Sequence, residues 1–262
     1  MRVDVGPFRP FAVLDGRSNE IIESSGMDLA HFLQRKLEKA LPPADFLETQ
    51  AVWRECLALA DLVRMILDDG HGEAVLIVPS NTDDWLQSLS SFPYRFKVAD
   101  TSVRDVIRTE LSDTDAQGKL FLDLLQTPLP DELKNRINSN FPRSTWGGAR
   151  AAMQAIAPLS GVDGALVMTR DLKLLGFGAK IEFRLGSDVP VNKFQAKPGH
   201  QPVLPSRLED LGGMRHQSAA RFIAANKSAV AIVVSQDRHV SVMNWEDTLG
   251  AVNVVRHAEW WV

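Results

Sequence analysis

The chain has 262 residues, 45% of them hydrophobic and 24% charged, which is enough apolar content for a sizeable core in one large or two small domains. A formal net charge of −4 argues against a nucleic-acid polymer as ligand, because a duplex-binding surface needs a concentrated positive field. The single cysteine, Cys56, excludes an intramolecular disulfide and fits a reducing compartment; its helical surroundings make it a packing residue.

Met1-Arg2-Val3-Asp4-Val5-Gly6-Pro7 lacks the apolar core of a signal peptide, and no apolar run reaches the roughly 20 residues that span a bilayer. The expectation is a cytoplasmic protein with no membrane attachment. Phe11 to Gly16 and Glu20 to Glu23 read as a small hairpin turning through Asp15 to Asn19. Asp28 caps an expected helix through Leu41, with Leu29, Phe32, Leu33, Leu37 and Leu41 at helical spacing, and Pro42-Pro43 ends it. A second helix runs from about Asp45 to Asp68 and stops at Asp69-Gly70. These elements form an N-terminal extension, residues 1–60, before a main domain of residues 61–262.

The main domain alternates strand and helix. Ala74 to Val78 is a strand, Asp83 to Leu89 a short helix, and Arg95 to Val98 a strand. Ser102 to Leu111, Gly118 to Leu125 and about Ala149 to Ile156 read as helices. The alternation predicts a layered α/β domain, a mixed central β-sheet flanked by helices. From about Arg184 to Gly212 the chain carries Pro190, Pro198, Pro202 and Pro205 with Lys193, Lys197 and His200, and reads as one long loop. Loops above about 15 residues are usually functional or disordered, so a lid bringing Lys193 or Lys197 to a ligand competes with a solvated insertion. His71, between two glycines, reads as a turn residue; Trp245, Trp260 and Trp261 read as packing for the C-terminal segment.

Two stretches carry chemistry. Gly161-Val162-Asp163-Gly164-Ala165-Leu166-Val167-Met168 enters an apolar run from a turn, putting Asp163 at a strand's beginning, where a carboxylate reaches solvent or a cation. In Gly212-Gly213-Met214-Arg215-His216-Gln217-Ser218-Ala219 the glycines allow a tight turn, and helix formers follow to Ala225. That predicts a helix N-terminus aimed at an anion. Arg215 can supply a bidentate phosphate contact, and His216 can bind a divalent metal or a phosphate oxygen. Next comes Ala229 to Asp237, a strand ending in polar residues at Ser235, the end of a strand that ligands favour in open α/β sheets. Singly, an Asp-Gly is an ordinary turn and an Arg-His pair an ordinary solvated surface.

In combination and order, these stretches resemble the diadenylate cyclase (DAC) domain, the nucleotide-binding domain of DNA-integrity-scanning-type proteins, including its divergent sensor-type members. The matching residues are Asp163-Gly164-Ala165, Gly213-Met214-Arg215-His216-Gln217 and Val233-Val234-Ser235, with Gly70 to Pro79 as the first core strand and Leu174 to Ala179 as the strand after the first motif. The resemblance spans roughly Asp61 to Met243. It implies two ATP molecules meeting face to face across a homodimer, each 3′-hydroxyl attacking the other's α-phosphate to form cyclic di-AMP and release pyrophosphate. By that resemblance Asp163 and His216 hold Mg²⁺ or Mn²⁺, Asp163 favours the attacking alkoxide, and Arg215 holds phosphate. Gly164, Ala165, Gly213, Met214, Gln217, Ser218 and Ser235 are the implied nucleotide contacts.

Two positions depart from the pattern. Met214 stands where the family has Thr, and a thioether offers no donor; Gln217 stands where the family has a second Arg. A charge-assisted hydrogen bond contributes roughly 1.5–3 kcal/mol against about 1 for a neutral one, so losing the Arg can cost an order of magnitude or more in phosphate stabilisation. Two functions follow: an active diadenylate cyclase, or a non-catalytic nucleotide sensor on the same fold.

Overall fold

Apolar β-branched runs become the strands, and the segments with 3.6-residue periodicity become the helices packed over them. The computed structural model describes residues 11–15, 20–24, 46–96, 102–113, 130, 147–182, 188–195, 199–200 and 204–261. Strands β1 (Phe11–Asp15) and β2 (Glu20–Ser24) form the expected antiparallel hairpin, Phe11 opposite Ser24. Helix α1 is Phe46–Asp69, followed by β3 (Glu73–Val78), a 3-10 turn at Asp84–Ser88, β4 (Leu89–Ser91) and β5 (Tyr94–Arg95). Helix α2 covers 103–113 and α3 is Gly147–Ile156. Then come β6 (Ala165–Thr169), β7 (Leu174–Ile181), β8 (Val191–Gln195), β9 (Gly199–His200), β10 (Leu204–Ser206) and α4 (Met214–Ala225). The meander β11 (Val230–Val234), β12 (Val240–Glu246) and β13 (Ala251–Arg256) follows, and a 3-10 turn at Ala258–Trp261 ends the described residues. The expected helices at Asp28 to Leu41 and Gly118 to Leu125 lie outside the described residues.

A mixed sheet of ten strands forms the centre, in the order β10-β8-β13-β12-β11-β3-β6-β7-β4, with β5 also on β7. β3 runs parallel to β6, Ala74 opposite Ala165, and antiparallel to β11, Val234 opposite Glu73. Every residue of β3, β6 and β11 is buried, as strands covered on both faces must be. On one face α1, α2 and α3 bring Leu59, Leu62, Ile66, Ile107 and Met153 against Val75, Ile77, Leu166, Met168 and Ile232. On the other, Ala219, Ala220, Phe222 and Ile223 of α4, with Trp85, pack on Leu76, Val167, Ala231 and Val233. The expected layered α/β architecture is thus present, with helices on both faces.

Two local features differ from the sequence expectation. The segment before Gly212 is not one loop: β8 joins the sheet parallel to β13, β10 pairs with β8, and β9 pairs with β2. Val191 and Phe194 are buried there, so apolar burial outweighs the proline content that made the segment read as coil. β12 and β13 have no counterpart among the expected elements. Helix α1 runs through position 60 as expected, and its Cys56, Ala58 and Leu59 enter the same core as Leu62 and Val63.

Candidate functional site

Each motif folds for a local reason. Gly164 has φ +127, and a Cβ there would lie 2.4 Å from the Gly178 carbonyl carbon, so β6 can start against β7 only with glycine at this point. That close approach leaves Asp163 two residues ahead of the strand, on the turn, with its side chain 81% exposed. Gly212 has φ +110, which reverses the chain ahead of α4, and Gly213 is the extended N-cap. The Gly213 carbonyl accepts the His216 and Gln217 backbone N–H groups, starting the helix.

Asp163, Gly164, Ala165, Met214, Arg215 and Ser218 line a single cleft of about 350 Å³, together with Ala74, Ala179, Lys180 and Ile181. Lys180 Nζ lies 3.4 Å from Asp163 Oδ2, and Arg215 NH2 lies 4.0 Å from Asp163 Oδ1. Two cations therefore flank one carboxylate at the mouth of a part-apolar cleft. All three are substantially exposed, so their mutual attraction is weak and each remains available to a ligand.

Beneath the cleft lies a carboxyl that the motifs did not point to. Glu73, at the start of β3, is buried, and burial pushes its carboxyl up to about 8; the Asp163 charge adds to the rise, while the Ala74 N–H and the Arg215 guanidinium oppose it. Its Oε1 accepts the Ala74 N–H at 2.9 Å. At neutral pH Glu73 is mostly uncharged, so the cleft presents Arg215 and Lys180 against Asp163, one excess positive charge. Arg215 is also close to Gly72 and Gln236: a Cβ on Gly72 would come within 3.3 Å of Arg215 NH1 and 3.0 Å of Gln236 Cγ.

His216 is not among the groups lining this cleft. Residues 216, 219, 220 and 223 form the buried stripe of α4, at helical i, i+3, i+4, i+7 spacing, so His216 points inward while Arg215 and Ser218 face the cleft. Its Nε2 is 3.2 Å from Ser241 Oγ, and burial, reinforced by the nearby Arg256 charge, pulls the imidazole down to about 4. The imidazole is thus turned into the core onto a serine hydroxyl, away from the cleft. Of the remaining implied contacts, Gln217 donates its amide to the Gly212 carbonyl at 3.0 Å, and Ser235 Oγ accepts the His239 N–H at 3.1 Å in the β11–β12 turn. Lys193, in β8, bonds the Asp210 carbonyl; Lys197 lies outside the described residues.

The implied divalent ion finds one carboxylate in the cleft lining, that of Asp163. Mg²⁺ commonly takes one or two carboxylates and completes its shell with phosphate oxygens and water, so Asp163 fits an ion that arrives with a nucleotide, whereas His216 does not. Lys180 carried no motif signal; only its alternation with the buried Ala179 along β7 marked it as facing away from the core. For Glu73 the available signal was a carboxylate directly before the apolar run Ala74 to Val78. No protein-family model matches the chain, and no curated protein matches it.

Proposed function

We propose that this chain is a DAC-like nucleotide-binding domain that takes ATP or a related nucleotide in the cleft of Asp163, Lys180 and Arg215, and acts as a sensor. The carrying observation is the convergence of two cations and one carboxylate on a cleft whose size suits a small ligand. Arg215 offers a planar fork for two phosphate oxygens, and Lys180 a second positive charge. Asp163 would hold Mg²⁺ or Mn²⁺, which neutralises phosphate charge when bound. Met214, 60% exposed in the cleft, provides apolar surface and no hydroxyl. Gln217 spends its amide on Gly212, and His216 is turned into the core, so binding groups outnumber groups that could move a proton.

The second reading is an active diadenylate cyclase working as a face-to-face homodimer. It is favoured by the exposure of Asp163 between two cations, which leaves its carboxylate open to a 3′-hydroxyl from a second copy. One copy would hold half of that reaction.

Equilibrium binding of ATP with Mn²⁺, followed by mass analysis of products, tests both. A charge-assisted contact predicts that Arg215→Ala and Lys180→Ala each weaken ATP binding about tenfold or more, without cyclic di-AMP forming in the wild type. Cyclic di-AMP that disappears in Asp163→Asn replaces the sensor with the cyclase. Unchanged affinity in both cation variants refutes the cleft as the nucleotide site.

A further inference from the structure

A second constellation lies among residues that contribute nothing to the cleft lining. The last β12–β13 pair is Ser241 opposite Arg256, so His239 and His257 leave the ladder at the same end. His257 has φ 61, unusual for a residue with a side chain, and the chain then enters the 3-10 turn Ala258–Trp261 that carries Glu259. Glu259 Oε1 lies 2.9 Å from Nδ1 of His239 and 2.9 Å from Nδ1 of His257. The two rings meet edge to face with centroids 4.8 Å apart.

We propose that His239, His257 and Glu259 form a binding site for a divalent transition metal of the zinc class, separate from the nucleotide cleft. One donor atom from each residue falls within a 4.8 Å span. Tetrahedral zinc with bonds of about 2.0–2.1 Å holds its donor atoms about 3.3 Å apart, so the two 2.9 Å edges open by a few tenths of an ångström and the edge between the imidazole donors, at most 4.8 Å, closes by up to about 1.5 Å. The backbone N–H of Val240 donates to Glu259 Oε2 at 2.8 Å and holds the carboxylate, and the backbone N–H of His239 donates to Ser235 Oγ at 3.1 Å and holds the turn that carries the imidazole. The side chains of His239 and His257 are 44% and 32% exposed and that of Glu259 is 17% exposed, so an ion can enter and keep a water in the fourth position. Two imidazoles and one carboxylate select zinc-like ions over Mg²⁺ or Ca²⁺, which take oxygen ligands. On binding, the ion would replace the protons now shared with Glu259 and pin the C-terminal turn to the β11–β12 hairpin.

The test titrates Zn²⁺ into the untagged full chain against a fluorescent chelator. We expect one ion per chain with micromolar or tighter affinity, weakened tenfold or more in both His239→Gln and Glu259→Gln, and unchanged in Asp163→Asn. His239 sits at a partly exposed turn, so its variant should keep the wild-type circular dichroism. Co²⁺ should give the visible absorption of a tetrahedral site in the wild type and not in His239→Gln. No saturable binding, or binding that survives His239→Gln, overturns the proposal; so does binding lost only in Asp163→Asn, which would place the ion in the cleft. Zinc binding and ATP binding are measured separately, so either can fail alone.

Discussion

Glu73→Gln should change how stability depends on pH, and by an amount the burial of this carboxyl sets. The folded protein holds the Glu73 proton up to about 8, whereas the unfolded chain releases it near 4.5. Between those values the folded state binds more protons, so Glu73 contributes stability that is fully present below pH 4.5 and is lost as pH rises through 8. The slope is about 1.4 kcal/mol per pH unit, which amounts to roughly 4–5 kcal/mol over the whole window. Gln keeps the oxygen that accepts the Ala74 N–H and removes the titration. His216 works with the opposite sign: its folded value near 4 lies below 6.5, so it adds stability above pH 6.5 that is lost as pH falls toward 4. That contribution, and the one from buried Glu55, is common to both proteins and cancels in their difference. Urea unfolding followed by tryptophan fluorescence at half-unit steps from pH 5 to 8 should show the wild type losing about 3–4 kcal/mol relative to Glu73→Gln. Parallel profiles would refute the reasoning and mean that Glu73 is ionised in the folded protein.

Gly164→Ala should destabilise the chain by at least 2 to 3 kcal/mol, roughly the sum of a strained φ and a clash with the Gly178 backbone, read as a fall in the urea midpoint; a change below about 0.5 kcal/mol would mean that β6 and β7 separate easily. Arg104→Ala should cost about 3–5 kcal/mol, because Arg104 NH2 donates to Glu55 Oε2 at 2.7 Å and joins α1 to α2, leaving a buried carboxylate poorly compensated. Adding Glu55→Gln to that variant should recover part of the loss, and no recovery would mean that Arg104 acts through packing alone.

Several parts of this protein were written in local pattern. The hairpin of Phe11–Asp15 and Glu20–Ser24, the helix Met214–Ala225, and the strands Glu73–Val78, apolar after its first residue, and Val230–Val234, apolar throughout, follow from turn residues, periodicity and run length. The same patterning placed Asp163 at a strand entrance and Arg215 at a helix start, where the cleft has them. The inward turn of His216 was also legible, in its spacing to Ala219, Ala220 and Ile223, but its motif position drew it toward a metal role.

Long-range pairing decided the rest. Lys180 reaches Asp163 because β6 and β7 pair Ala165 with Ala179, a register no short window encodes. Val191–Gln195 is a strand because β13, some sixty positions later, offers it a parallel partner. Glu73 becomes a proton-holding acid only once three layers close over it, and His239 meets His257 and Glu259 only at the end of the β12–β13 ladder. Residue type and spacing specify elements and available chemistry, since those depend on neighbours within a few positions. Which charges share a cleft, and which are stripped of water, depends on contacts that exist only in the folded chain.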